Sequence, residues 1–193
     1  MPSKHAGIWG ARQRGVAVLA KKAVPMKLVA IPEPYRQALW STSRVVHVHI
    51  ALADGRLVLN ILSIYAPQKG GRENTVFWTR LAEYMARLGT VLVLLAGEYN
   101  VPLDDQEGMP PQVLTEVLAG RWIDVDLHLA RAERRPTVAR FHNGSSATAP
   151  MRIDGVMADL RLASTVQAVT VIEDVGLPGH TPICLSLRVG MTQ

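Results

Sequence analysis

Apolar and polar residues change rhythm several times along this chain, and each rhythm predicts an element. Over residues 44–52 they alternate, with Val46, Val48, Ile50 and Leu52 on one side, the period of a strand with one face buried. Asp54-Gly55 predicts a tight hairpin turn, and residues 57–65 the returning strand, which Pro67 stops. Gly70-Gly71 predicts a loop. From Arg72 the step lengthens: Phe77, Leu81, Met85 and Leu88 recur at helical spacing, and Gly89 ends the run. Residues 90–96 are almost wholly apolar, the pattern of a strand buried on both faces.

Elsewhere along the chain the periods are shorter. Residues 15–20 predict a strand. A loop rich in Pro, Asp and Gly over 100–111 leads to a short helix over 112–119, stopped by Gly120. Residues 122–129 are mixed, 131–136 form a basic turn and 137–141 a strand. A Gly/Ser/Ala loop covers 142–150. Three further strands are predicted over 153–159, 165–172 and 182–189. Strands dominate, with helices between some of them. Two packed sheets flanked by helices would bury such a pattern, although periodicity alone does not give the number of sheets.

Composition narrows the class. The chain has 193 residues, enough for one domain, and 48% of them are hydrophobic, ample for a core. The single cysteine, Cys184, excludes an internal disulfide and a cysteine zinc cluster; within Ile183-Cys184-Leu185 it reads as a small buried hydrophobe. No apolar run is long enough to span a bilayer and no signal-peptide core follows Met1, so a cytoplasmic or nuclear location without membrane association is expected. The net charge of +5 favours polyanions such as nucleic acid. The denser basic groups, Arg12/Arg14, Lys21/Lys22 and Arg131/Arg134/Arg135, are equally consistent with a solvated surface.

Candidate chemistry collects where apolar runs stop. Residues 91–95 end in Gly97-Glu98-Tyr99-Asn100. A carboxylate there can hold a hard cation, and an amide can orient a water or a phosphate oxygen. Arg152-Ile153-Asp154 and Pro178-Gly179-His180-Thr181-Pro182 adjoin later apolar stretches, and Ile64-Tyr65-Ala66-Pro67 closes an earlier one. In this order the set resembles the endonuclease/exonuclease/phosphatase superfamily of metal-dependent phosphoesterases. The family's Gly-Asp-Phe/Leu-Asn is similar to residues 97–100, its Arg-Ile/Leu-Asp-Tyr to residues 152–155, and its Ser-Asp-His-x-Pro to residues 178–182. Gln13-Arg14-Gly15-Val16-Ala17-Val18-Leu19 resembles a family strand. Residues 60–67 with Phe77-Trp78 and Leu81 look most like the retroelement branch.

The resemblance implies an α/β sandwich and a DNA endonuclease of retroelement type using Mg²⁺ or Mn²⁺. It implies that Asp154 orients His180, which acts as base or stabilises the transition state. Asn100 positions water or a phosphoryl oxygen, Tyr65 donates to the scissile phosphate, and Glu98 is a residual metal contact. Arg152 contacts phosphate or braces its loop. Asp104 and Asp105 are read as solvated. Alternatives are a non-catalytic remnant that binds nucleic acid and a phosphatase acting on lipid or inositol phosphates.

Departures from the family pattern qualify that expectation. Gly179 stands where the motif has Asp, and Glu98 where it has Asp. The family's opening strands, ending in Asn and in Gln-Glu, have no counterpart in the sequence, which resembles an N-terminally incomplete member. Weak metal binding, impaired hydrolysis and marginal stability as an isolated monomer are the corresponding expectations. Elsewhere His47 and His49 share one side of a strand at a spacing open to metal, though a polar strand face is preferred. His5, His128 and His142 have no companions. Trp9, Trp40, Trp78 and Trp122 read as packing residues, with Trp78 in the core.

Overall fold

In the computed structural model the described residues are 5–9, 16–21, 24–52, 57–103, 110–111, 113, 115, 119–133, 152–172 and 183–188. The chain divides into two compact units, Met1–Gly97 and Glu98–Gln193.

The first unit is built around the predicted hairpin. β1 (His5–Trp9) pairs antiparallel with β2 (Ala17–Lys21). β3 (Met26–Leu28) is followed by α1 (Tyr35–Leu39). β4 (Val45–Leu52) and β5 (Leu57–Tyr65) pair antiparallel from Val45↔Ile64 to Leu52↔Leu57. The turn containing Asp54-Gly55 lies outside the described residues. α2 (Gly71–Leu88) and β6 (Leu92–Glu98) complete the unit, with β3, β4, β5 and β6 hydrogen-bonded neighbours in that order.

Burial explains why β4 sits inside. Val45, Val46, His47 and Val48 are all fully buried, so both of its faces are covered over its first half. Val46 and Val48 pack with Val16, Val18, Met26, Trp40, Ile50, Ile61 and Tyr65. The opposite face meets α2, whose buried residues are Phe77, Trp78, Leu81 and Tyr84. Met85 and Leu88, expected on that face, are only half-buried, because the buried stripe turns toward Tyr84. Trp78 is in the core as predicted. Val93, Leu94 and Leu95 are buried in succession, as a strand covered on both sides requires.

His47 overturns the expectation of a polar strand face. It is wholly buried, with Nδ1 2.7 Å from the Tyr84 hydroxyl and Nε2 3.0 Å from Asn60 Oδ1. The Asn60 oxygen only accepts, so Nε2 carries the proton and Nδ1 accepts from Tyr84. Asn60 in turn donates to the Leu92 carbonyl at 3.1 Å. One neutral imidazole thereby joins β4, β5, β6 and α2. Burial pushes its pKa down to about 4 and that of Tyr84 up to about 12.

In the second unit β7 (Trp122–Asp124) runs directly into α3 (Val125–Glu133), resolving the mixed pattern predicted there. β8 (Asp154–Asp159) pairs antiparallel with β7, and a 3₁₀ turn over Leu160–Thr165 leads to β9 (Val166–Val171). β9 pairs antiparallel with β10 (Ile183–Leu187), and α3 packs against β8 and β9. Cys184 is exposed on β10, not buried, because this two-stranded ribbon turns Cys184 and Ser186 outward. Pro111, Val113 and Thr115 are helical, in line with the short helix predicted there. The strand predicted over 137–141 and the loop over 142–150 lie outside the described residues. Among the described residues no helix is long and apolar enough to cross a membrane.

Two outcomes follow for stability. Between pH 6.5 and about 4 the unfolded chain protonates His47 while the folded chain does not, so stability falls as pH falls through that window. The full loss is about 3 kcal/mol, at about 1.4 kcal/mol per pH unit. Urea unfolding across this range should show the wild type losing its advantage over His47→Gln as the medium is acidified. Gly97 has a φ of +138°, and a Cβ there would lie 2.1 Å from the Ile64 carbonyl oxygen. Gly97→Ala should therefore cost about 2 kcal/mol or more, measured by the same unfolding titration.

Candidate active site

The two central motifs are joined by main chain. The Tyr99 amide donates to the Ile153 carbonyl at 2.7 Å, and the Leu103 amide donates to the Arg152 carbonyl at 2.8 Å. Glu98 and Asn100 flank Tyr99 in sequence, and Arg152 and Asp154 flank Ile153. The pairing thus brings together backbone segments that carry four of the predicted residues, all in the second unit. Glu98 is the last residue of β6 and Asp154 the first of β8; Glu98, Asn100 and Asp154 are all half-buried, so they lie at the margin of the core.

Local geometry accounts for part of the first motif. The close approach to Ile64 admits only glycine at 97. Asn100 has φ +54°, left-handed backbone that Asn tolerates better than most side chains. Tyr99 is fully buried, and desolvation with the nearby Asp124 charge holds its phenol well above the ordinary pKa; a Met157 backbone hydrogen bond and Arg152 oppose the shift. Tyr99 is therefore an anchor of the core.

Arg152 takes the bracing role, and the expectation of a nucleic-acid contact is corrected accordingly. Its guanidinium is buried and makes a two-point pair with Asp124, Nη1 to Oδ1 at 2.9 Å and Nη2 to Oδ2. A planar fork matched to a buried carboxylate has no face turned to solvent phosphate. Asp124 also accepts from the Leu127 amide at 3.1 Å, capping the first turn of α3. One carboxylate therefore fixes both the helix start and the Arg152-Ile153-Asp154 segment. Its signal in the sequence was an Asp ahead of a helical run, obscured because strand and helix abut there.

Tyr65 lies in the first unit, at the end of β5. It is half-buried, packs against Val16, Val46 and Val48, and sits beneath the guanidinium of Arg44, 5.7 Å from the ring centroid. Arg44 drew no attention in the sequence, where it merely opens an alternating strand. His180, Gly179, Asp104 and Asp105 lie outside the described residues, as do Arg12, Arg14, Lys22, Arg134 and Arg135 of the basic groups.

The described donors do not make up a magnesium site. Among the described residues no group of three or more His, Cys, Asp or Glu side chains converges to hold a metal. His47, turned inward and bonded to Tyr84 and Asn60, is not available with His49 as a ligand pair. Magnesium requires several oxygen ligands, so Glu98 alone does not suffice.

No protein-family model matches the chain, and no curated protein sequence does. Solved structures do. An AP endonuclease from Leishmania major superposes with a TM-score of 0.72 at 18% identity, over 96% of this chain and 71% of the other. The endonuclease domain of TRAS1, a telomere-specific non-LTR retrotransposon, gives 0.70 at 12% identity, over 98% and 82%. A 3′ phosphatase from Neisseria, bound to a product DNA hairpin, gives 0.65 at 17% identity, over 96% and 80%. These neighbours share their α/β architecture with this chain across nearly its full length, and on that likeness the chain has the fold of the endonuclease/exonuclease/phosphatase superfamily.

Proposed function

We propose that this chain is a phosphodiester hydrolase-like domain that engages DNA, of the retroelement endonuclease kind, with weakened catalysis. The observation that carries the reading is the Tyr99–Ile153 backbone bond, which joins the segments bearing Glu98 and Asn100 to the segment bearing Asp154. The fold likeness to an AP endonuclease, to a retrotransposon endonuclease domain and to a phosphatase bound to DNA supports the substrate class. The net charge of +5 supports attraction to a polyanion.

Hydrolysis of a phosphodiester needs an activated water and donors for the oxygens that gain charge. In this reading His180 takes or holds the proton, and Asp154 is the carboxylate assigned to orient it. Asn100 is assigned the orientation of the water or a phosphoryl oxygen, and the Tyr65 hydroxyl, in the first unit, a contact to a DNA phosphate. Catalysis is weakened because Gly179 supplies no carboxylate beside His180 and because Glu98 displaces its carboxylate by a methylene relative to Asp.

A plasmid-nicking assay with Mg²⁺ or Mn²⁺, run beside duplex DNA binding, tests this. DNA binding should weaken steeply as salt rises, and nicking should be slow and abolished by His180→Ala, with binding retained. Nicking that survives His180→Ala would overturn the catalytic assignment. Failure to bind DNA at low salt would overturn the whole reading.

A further inference from the structure

Arg44 is a cation with almost no access to water: its side chain is 3% exposed. A buried guanidinium must find acceptors for its donors, and their destinations indicate its task. Nε and Nη2 both donate to Glu73 Oε1, at 3.0 and 2.6 Å. Nη1 donates to the Tyr65 carbonyl at 3.2 Å. In the reverse direction the Tyr65 amide donates to the Arg44 carbonyl at 2.8 Å. The guanidinium carbon stands 5.7 Å from the centre of the Tyr65 ring, within cation–π range. Tyr65 is therefore held by Arg44 through both of its backbone groups and through its ring.

Glu73 fixes the other end. It lies in the first turn of α2, where the helix dipole favours a carboxylate, and its side chain is 62% exposed. Two donors of Arg44 converge on one of its oxygens, so the fork is fixed in its plane rather than left to turn about its long stem. Tyr65 is the last residue of β5, where strand pairing stops and a ring would otherwise be restrained on one side only.

We propose that Arg44 and Glu73 are positioning residues for Tyr65, holding its ring in the orientation that a phosphodiester contact uses. The proposal rests on the phosphate-contacting role of Tyr65. A purely structural brace between the residue ahead of β4 and α2 would cost stability on removal and leave the contribution of Tyr65 to binding untouched. A purely electrostatic role predicts the opposite sign, because deleting Glu73 removes a negative charge and should tighten DNA binding.

The test is a double-mutant cycle on the full chain, with a short DNA duplex at one low salt concentration. Tyr65→Phe should weaken binding about tenfold, the value of a hydrogen bond to a charged group. Glu73→Ala should weaken binding about threefold or more when Tyr65 is present, and leave it unchanged or tighter in the Tyr65→Phe background. Equal effects in the two backgrounds would overturn the proposal. Arg44→Lys, which keeps the charge and loses the fork, should behave as Glu73→Ala does. Ring ¹³C resonances of labelled tyrosine provide a second readout, with Tyr65 identified by its loss in Tyr65→Phe. In Glu73→Ala the Tyr65 signal should shift while those of Tyr84 and Tyr99 stay in place; an unmoved Tyr65 signal would also overturn the proposal. If Tyr65→Phe binds as the wild type does, the failure lies with the phosphate contact, and the ring resonance alone decides the clamp.

Discussion

A strand buried on both faces has no solvent-facing side on which to place a polar group, and this constraint governs the first unit. The first half of β4 is such a strand, yet it carries a histidine. An imidazole there is tolerable only if both nitrogens are satisfied and neither is charged. Tyr84 and Asn60 meet both conditions, and Asn60 passes the restraint on to β6 through the Leu92 carbonyl. Apolar packing through Val46 and Val48 is non-directional and would accept small slips between neighbours. The hydrogen bonds of His47 would not, so the polar core fixes the registry of α2 and three strands where the apolar core supplies their cohesion.

The end of β6 shows how structural and chemical demands share a short motif. Gly97 is required by the Ile64 backbone, Tyr99 by the core, and the left-handed turn at 100 suits Asn. Three of the four residues therefore have reasons unconnected with catalysis. Glu98, at the end of β6, and Tyr99 are the two positions of this motif that depart from the family pattern. The likeness to phosphoesterases thus rests on a framework that would persist in a chain whose chemistry had decayed. Glu98 and Gly179 are the two positions at which an acidic residue of the family pattern is altered or replaced in this sequence.

Elements long enough to display a period were legible in the sequence. The β4–β5 hairpin and α2 lie close to their predicted limits, and β6 runs two residues past its apolar stretch because Gly97 and Glu98 continue its backbone. Short elements were not legible: α1 has five residues and β3 three, too few for a rhythm to form. Nor could alternation reveal which side chains of β4 meet solvent, because the cover over His47 comes from Tyr84, on a helix beyond the next strand. For the candidate site, the order of the motifs was readable, as was the identity of the residues at each strand end. The braces were not, since Arg44 and Asp124 owe their roles to partners remote in the chain, Glu73 for one and Arg152 for the other.

Asp124 has a consequence for how that second brace can vary. Ion pairs are often treated as reversible, so that exchanging the two charges preserves the attraction. Here exchange is forbidden by the helix that begins at Val125. An arginine at 124 would set a positive charge against the positive end of the helix dipole and leave the Leu127 amide without its acceptor. The pair therefore has a polarity: acid on the strand that enters the helix, base on the segment leading to Asp154. Neutral drift could replace both partners with apolar residues and a new cap, but could not pass through inversion.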